Sequence, residues 1–167
     1  MEKKYELTEE TLEIDGHVLH RIIALRNFGN VKKGDLGGFI EKESNLAHDW
    51  NCWIYNDAVV YGEAEVYGNA EVYGEAEVCG EAMVYGEARV CGDAKVEKKS
   101  DYIVFKNWWS SGRYFTWTRS NDMWTVGCFY GTSEELIKKA YADSEEKGRE
   151  YERVVKYIES IKSEIDK

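Results

Sequence analysis

The chain of 167 residues contains no proline, although proline makes up about 5% of average proteins. Tight turns must therefore depend on its 15 glycines, because glycine adopts positive φ angles without a steric penalty. A chain of this length forms one full-sized domain, or one domain with a small appendage, and it can bury enough surface to fold without a disulfide or a metal.

Cysteine and histidine are few, and neither shows the spacing of metal ligands. The four cysteines, at positions 52, 79, 91 and 128, form no CxxC pair. His17 and His20 are three residues apart in a predicted strand and would point to opposite faces. We therefore predict no metal site, no cofactor, and the reduced thiols of a cytoplasmic protein.

Long apolar runs and a surplus of positive charge are also missing. The longest apolar stretches are a few residues, too short to cross a bilayer, and the opening MEKKYELTEE lacks the apolar core of a signal peptide. The formal net charge is −10, which argues against a general nucleic-acid coat because phosphate binding needs an excess of Lys and Arg. We expect no membrane partner and no direct nucleic-acid partner.

A repeat of six residues runs without interruption through positions 58–96. It reads AVVYGE AEVYGN AEVYGE AEVCGE AMVYGE ARVCGD AKV, and its frame continues upstream with Leu46, Cys52 and Ile54 at apolar positions. In a helix, a glycine every six residues would cost about 1 kcal/mol each. Disorder is disfavoured by the Val–Tyr pair of nearly every unit. The pattern predicts short strands with inward Val and Ala, joined at glycine corners.

The repeat resembles the hexapeptide-repeat family, in which an aliphatic residue is followed four residues later by a small one. Six pairs fit: Val60 and Ala64, Val66 and Ala70, Val72 and Ala76, Val78 and Ala82, Val84 and Ala88, and Val90 and Ala94. The resemblance covers about residues 40–96. It implies a mainly β fold built on a short left-handed parallel β-helix and a homotrimer, and the family includes many acyltransferases.

The opening stretch GDLGGFIEKESNL together with the repeat is similar to small β-helix proteins that are frequent in bacteriophage genomes. This resemblance covers roughly residues 5–96. It implies a phage-type protein acting in the host cytoplasm.

The family's coil contains three hexads, so residues 18 positions apart are expected to stack. Aromatic pairs and pairs of opposite charge then fall on neighbouring coils, where each contributes a few tenths of a kcal/mol. The expected pairs are Tyr55 with Tyr73, Tyr67 with Tyr85, Glu71 with Arg89, and Glu77 with Lys95.

The segments on either side of the repeat predict caps for the ends of the β-helix. Residues 1–39 form an N-terminal cap with a hairpin turning at Asp15-Gly16, and residues 40–97 form the β-helix. Residues 98–167 form a domain of three strands and two helices. The predicted strands are 102–109, 113–119 and 123–130, with turns at Ser110-Ser111-Gly112 and Ser120-Asn121-Asp122; a capping box at Thr132 starts the first helix and Gly148 separates it from the second.

Charge and aromatic residues are distributed unevenly. Residues 40–96 carry 3 basic and 12 acidic side chains, whereas residues 97–131 carry 5 basic and 3 acidic ones and four of the six tryptophans. Strand alternation places Arg113, Phe115, Trp117 and Arg119 on one face of strand 113–119.

A face with two cations and two aromatic rings suggests a ligand site, because such side chains stack rings and meet phosphates. The alternative is an aromatic core for a small sheet. The predicted ligand-binding residues are Lys106, Trp108, Trp109, Arg113, Phe115, Trp117, Arg119 and Trp124.

No catalytic residue is predicted. The resemblance implies a histidine base at a subunit boundary, but only His48 lies in the repeat region, where it takes the place of an aliphatic residue and suggests a structural role. Residues 52–96 contain no extra loop that could shape an acyl-donor pocket.

The sequence therefore predicts a non-enzymatic binding protein of phage type. It would sequester a nucleotide-like or other anionic small molecule, or block a host defence protein. Two alternatives remain open: an acyltransferase of the hexapeptide-repeat type, and an acidic decoy whose β-helix imitates nucleic acid.

Overall fold

A computed structural model describes residues 2–109 and 112–165. It confirms the mainly β fold class, with an N-terminal hairpin, a parallel β-solenoid of about three coils, a small antiparallel sheet and two helices. The elements are β1 (Tyr5–Ile14), β2 (His17–Ala24), β3 (Leu36–Ile40), β4 (Trp53–Ile54), β5 (Val59–Val60), β6 (Glu65–Val66), β7 (Glu71–Val72), β8 (Glu77–Val78), β9 (Met83–Val84), β10 (Arg89–Val90), β11 (Lys95–Val96), β12 (Tyr102–Lys106), β13 (Tyr114–Thr118), β14 (Met123–Val126), β15 (Phe129–Gly131), α1 (Ser133–Asp143) and α2 (Glu145–Ile165).

The predicted hairpin is present. Its strands β1 and β2 join through Asp15 and Gly16, which both have positive φ angles of 50° and 82°. This two-residue turn matches the twist of the flanking strands. Because β2 pairs with β3, and β3 runs parallel to β5, the hairpin extends one sheet of the solenoid.

The solenoid has three short parallel sheets, and its valines point inward as predicted. Val60, Val66 and Val72 pair in register with Val78, Val84 and Val90, 18 residues further along the chain. The Val and Ala columns together form a buried core with almost no solvent exposure. Inside such a column each side chain packs on the equivalent side chain of the next coil, which explains why the repeat is so regular.

The predicted side-chain ladders also form on the outside of the solenoid. Tyr55 stacks on Tyr73 with ring centroids 4.4 Å apart, and Tyr67 stacks on Tyr85 at 5.1 Å. The predicted ion pairs join Arg89 Nε to Glu71 Oε2 at 3.0 Å and Lys95 Nζ to Glu77 Oε1 at 3.3 Å.

Each coil turns at a residue in the left-handed region of backbone space. From Gly62 to Gly92, every sixth residue is a glycine with φ between 63° and 69°. Upstream, the same position is taken by Asn56 (φ 56°) and Trp50 (φ 61°). The left-handed corner residues therefore extend further upstream along the solenoid than the glycines do.

Both ends of the solenoid are closed by side chains that replace the missing neighbouring coil. At the start, backbone carbonyls accept hydrogen bonds from side chains: Cys52 O from Lys4 Nζ (2.8 Å), Leu46 O from Tyr5 Oη (2.7 Å), and Ala64 O from Asn45 Nδ2 (2.8 Å).

At the far end, the amide groups of the last coil donate instead. Arg89 N–H donates to Thr116 Oγ1 (3.0 Å) and Lys95 N–H donates to Ser120 Oγ (2.7 Å). The C-terminal unit thus supplies acceptors where a fourth coil would supply carbonyl groups.

The C-terminal unit differs from the sequence prediction in two places. Its sheet has four strands, since the predicted strand 123–130 is divided by a tight turn at Gly127 (φ 58°). Gly148 does not separate the helices: it is buried within α2, where a side chain would collide with Tyr141, and the break falls at Ser144. Ser110 and Ser111 of the predicted first turn lie outside the described residues.

In the part of the chain that the structure describes, no helix combines the length and apolarity needed to cross a membrane.

We predict opposite effects of glycine at two corners of the solenoid. Trp50 is 71% exposed, and its left-handed backbone conformation carries a steric cost that glycine does not have. Trp50→Gly should therefore raise the free energy of unfolding by up to about 1 kcal/mol. Asn56→Gly should lower it slightly, because asparagine tolerates this conformation and its Oδ1 accepts the Gly74 N–H at 3.1 Å. Equilibrium unfolding in denaturant at one protein concentration measures both, and a marked loss in Trp50→Gly would contradict the strain argument.

We also predict that the hydroxyl of Thr116 stabilises the last coil. Thr116→Val keeps the shape of the side chain but leaves the Arg89 N–H without this acceptor, at a cost of about 1–3 kcal/mol. Thr116→Ser keeps the hydroxyl and should cost less. Equal losses in the two variants, measured by chemical denaturation, would show that the hydrogen bond is unimportant.

Candidate functional site

Three of the predicted ligand-binding aromatic residues lie in the core of the C-terminal unit. Phe115, Trp117 and Trp124 are 0%, 1% and 0% exposed and pack with the buried face of α2. The indole N–H groups of the two tryptophans donate within the unit, Trp117 to Asp122 Oδ1 (2.8 Å) and Trp124 to Ser133 Oγ (2.9 Å). These three residues were predicted to meet a ligand, and the structure packs them against α2 instead.

Arg119 is engaged at the junction between the solenoid and the C-terminal unit. Its Nη1 lies 3.3 Å from Asp101 Oδ1, and its backbone N–H donates to Asp101 O at 2.8 Å. Asp101 Oδ2 in turn accepts the N–H groups of Glu97 and Lys98. This is the carboxylate partner that a structural role for Arg119 requires.

The remaining predicted residues lie near the end of β12. Lys106 is exposed, Trp108 is 80% exposed, and Trp109 is partly buried against Phe115 and Tyr151. The indole Nε1 of Trp109 is buried and has no hydrogen-bond partner among residues 2–109 and 112–165. Trp109 lines a cleft with Ser144, Glu146 and Lys147.

Arg113 belongs to a different surface from Arg119. It lines a small pocket, with a cavity volume of about 40 Å³, between the β14–β15 turn, α1 and the start of α2. We call it the basic pocket, since three cations and one carboxylate line it. Its residues are Arg113, Val126, Cys128, Phe129, Leu136, Lys139, Ala140, Asp143, Lys147 and Tyr151.

Helix geometry places the charged residues of the basic pocket. The capping box of Thr132 and Glu135 fixes the start of α1, so that Lys139 and Asp143, four residues apart, share a face. Ser144 ends α1, and its Oγ accepts the Lys147 N–H at 3.1 Å as α2 begins. Lys147 is therefore again four residues after Asp143, although the break between the helices lies between them.

The cations of the basic pocket are close enough to act on Asp143, the one carboxylate among its described lining residues. Lys147 Nζ lies 2.6 Å from Asp143 Oδ2 and lowers the pKa of that carboxyl, with smaller contributions from Lys139 and Arg113. Lys139 Nζ also lies 5.5 Å from the centre of the Phe129 ring, and Lys147 Nζ 5.8 Å from that of Tyr151. Lys147 is thus neutralised by Asp143, while the pocket as a whole has an excess of positive charge.

The residues predicted from the sequence include Arg113, which lines the basic pocket, but not Lys139, Asp143 or Lys147. A signal for these three was present in their spacing of four residues. It could not be recognised as a site, because what these side chains face depends on how α1 packs on the β14–β15 turn.

A histidine–carboxylate pair was also missed. His17 Nδ1 lies 2.8 Å from Glu41 Oε1, and Glu41 Oε2 accepts the Gly62 N–H at 2.8 Å. The hydrogen bond from His17 and that from Gly62 hold the pKa of Glu41 below its usual value. Twenty-four residues separate the pair in sequence, so only the docking of the hairpin on the first coil brings it together.

His48 has contacts that agree with the structural role expected for it. Its Nδ1 accepts the Lys4 N–H at 3.1 Å, and its ring stacks on Tyr5 with centroids 4.3 Å apart. No group of three or more His, Cys, Asp or Glu side chains within the described ranges could hold a metal ion.

Comparison with known proteins finds a partial relative. The chain is 38% identical over 66 residues to the uncharacterized acetyltransferase YdcK of Escherichia coli strain K12. This partial match and the β-solenoid fit a hexapeptide-repeat family. The match covers 35% of this chain and 20% of YdcK, so the chain spans about a fifth of the length of that relative. No family model matches.

Proposed function

We propose that this hexapeptide-repeat protein is a binding protein whose basic pocket holds an anionic small molecule. The observation that carries the proposal is the convergence of Arg113, Lys139 and Lys147 on one pocket that contains a single carboxylate, Asp143. In a chain with a net charge of −10, such a local excess of positive charge is a specific feature.

The chemistry of the three cations suits a phosphate or carboxylate ligand. An arginine binds such groups through a planar fork of N–H donors, and a lysine adds a compact charge. Each charge-assisted hydrogen bond to an anion is worth about 1.5–3 kcal/mol. The apolar residues Val126, Leu136 and Ala140 line the same pocket, so bound charge would be partly shielded from water.

The adjoining cleft supports a ligand that also carries an aromatic ring. Lys147 lines both the basic pocket and the cleft of Trp109. The indole N–H of Trp109 is buried and has no hydrogen-bond partner among the described residues, and its neighbour Trp108 offers an exposed ring. Aromatic side chains beside cations stack nucleobases. A nucleotide-like ligand satisfies both surfaces.

The resemblance to small phage β-helix proteins supports the biological setting. In the proposed setting, the protein is made by a phage, forms a homotrimer in the host cytoplasm, and either sequesters a host defence signal or blocks a host defence protein. The acidic-decoy alternative is less favoured, because several solenoid carboxylates are already paired: Glu63 with Lys42, Glu71 with Arg89, and Glu77 with Lys95.

Titration with inorganic pyrophosphate and ADP tests the proposed pocket. Lys139→Gln should weaken binding at least tenfold, which corresponds to the loss of about 1.4 kcal/mol. Lys138→Gln is the matched control, since it removes the same charge one residue away on α1 but outside the pocket. Isothermal calorimetry gives the affinities, and native mass spectrometry reports oligomeric state and any retained ligand. Equal weakening in the two variants, or no binding of either probe, would contradict the proposal.

Acyl transfer is the second candidate, favoured by the similarity to an E. coli acetyltransferase and by the His17–Glu41 pair. A histidine held by a carboxylate can act as a general base. Nucleotide-like groups of acetyl-coenzyme A could occupy the basic pocket, so binding alone does not separate the two candidates.

Turnover of acetyl-coenzyme A does separate them. The binding-protein proposal predicts no protein-dependent release of coenzyme A thiol with a panel of amine and hydroxyl acceptors. If release occurs and is lost in His17→Asn but kept in His20→Asn, the protein is a transferase and the binding-protein proposal is wrong.

A further inference from the structure

The C-terminal unit leaves one corner of the solenoid uncovered. A Cβ atom added at Gly68 would lie 3.0 Å from Gly86 N in the next coil, and one added at Gly92 would meet Tyr130 of the C-terminal unit. A Cβ atom added at Gly86 would meet no heavy atom of the described chain within 4 Å. Since an added Cβ at these corners points toward the following coil, the place of the next coil beyond Gly86 is open.

The stack of Tyr67 and Tyr85 ends at this open corner. The two rings are parallel within 4° and their centroids are 5.1 Å apart, while Tyr85 is 47% exposed. A further regular coil would place position 103 beyond Tyr85, but Ile103 lies on β12 and packs against the C-terminal core. Among the residues that the structure describes, no third ring stacks on Tyr85.

Strand β12 forms the wall of a cleft at this corner. Its residues alternate, so that Tyr102 and Val104 pack on the solenoid while Ile103 and Phe105 pack on the C-terminal core. Tyr102 Oη donates to Met83 O at 2.8 Å and ties the strand to the last coil. The cavity volume of about 300 Å³ is at the lower end of the range for small-molecule sites. We call it the corner cleft, and its lining residues are Tyr85, Gly86, Glu87, Lys99, Tyr102 and Val104.

The corner cleft contains one side chain of each charge. Lys99 is exposed and has no ion pair among the described residues. Glu87 Oε1 accepts a hydrogen bond from Asn69 Nδ2 at 2.8 Å, which leaves Oε2 for a further donor. An ammonium group binds carboxylates, and a carboxylate accepts hydrogen bonds from ammonium groups. The cleft therefore suits a ligand that carries both charges and a flat ring.

We propose that the corner cleft binds an aromatic amino acid of low molecular mass, with its ring stacked on Tyr85, its carboxylate at Lys99 and its ammonium group at Glu87. The bound ring extends the column of Tyr67 and Tyr85 by one step, at the centroid spacing of about 4.5–7 Å that aromatic pairs prefer. This site goes beyond the proposed function, because the corner cleft and the basic pocket have no lining residue in common.

Three probes separate the contributions of the ring and of the two charges. L-Phenylalanine carries the ring and both charges, 2-phenylethylamine lacks the carboxylate, and 3-phenylpropionate lacks the ammonium group. Ligand-observed NMR titrations give the dissociation constant of each probe for the wild type and for each variant. Melting curves confirm that the variants are folded.

We expect each substitution to affect only the probes that carry the matching group. Tyr85→Leu should weaken all three probes about threefold or more, whereas Tyr85→Phe should bind them as the wild type does, because it keeps the ring. Lys99→Gln should weaken L-phenylalanine and 3-phenylpropionate about twofold to fivefold but not 2-phenylethylamine. Glu87→Gln should weaken L-phenylalanine and 2-phenylethylamine by a similar factor but not 3-phenylpropionate. The charge effects are small because ion pairs open to water are weak.

Lys98→Gln and Glu81→Gln are the matched controls, since both side chains are exposed and lie outside the corner cleft. They should leave all three dissociation constants unchanged. The proposal is wrong if the wild type does not bind L-phenylalanine saturably, if a control weakens binding as much as its partner variant, or if the losses in Lys99→Gln and Glu87→Gln do not depend on the charges of the probe. Lys139→Gln, which tests the basic pocket, should leave L-phenylalanine binding unchanged, so the two sites succeed or fail separately.

Discussion

A parallel solenoid of three coils leaves unpaired backbone groups at both ends, because each coil hydrogen-bonds only to the coils before and after it. Here the carbonyl end is covered by side-chain donors from the N-terminal segment, including the buried ammonium of Lys4, and the amide end by hydroxyl acceptors of the C-terminal sheet. Burial lowers the pKa of Lys4, because removal from water disfavours the charged ammonium. The ammonium nevertheless donates to Cys52 O, a carbonyl that would otherwise lack a hydrogen-bond donor. The caps therefore complete the backbone hydrogen bonding of the solenoid.

The demands of capping also account for the composition of the C-terminal unit. One face of β13 must meet the solenoid, where Thr116 contacts Arg89, so the opposite face has to form a core with α2. Leu136, Val155 and Ile158 contribute aliphatic side chains to this core, and Phe115, Trp117 and Trp124 contribute large aromatic ones. Their abundance thus reflects packing, and the cations of the same segment separate: Arg119 joins Asp101 at the solenoid, and Arg113 lines the basic pocket.

The basic pocket gives the unit a chemical character that capping does not require. A cap needs hydroxyl groups that accept hydrogen bonds and a hydrophobic core that supports them. Lys139, Asp143 and Lys147 belong to neither group and lie at the junction of α1 with α2. The β-solenoid is the scaffold, while the pocket lies in the C-terminal unit. A function located there would depend on the solenoid mainly for support, as the tie from Arg89 to the Gly127 turn illustrates.

The sequence by itself determined the solenoid, its inward valines, its stacked tyrosines and its cross-coil ion pairs, because a strict period of six leaves one register in which every Val and Ala of the repeat is buried. It also determined the Asp15-Gly16 turn and the start of α1, which are local. Tertiary structure alone decided which cations of the C-terminal unit meet, since Arg113 precedes β13, Lys139 lies on α1, and the two come together only when α1 packs on the sheet. It also decided that α2 covers β13, because strand alternation shows which residues share a face but not what lies against that face.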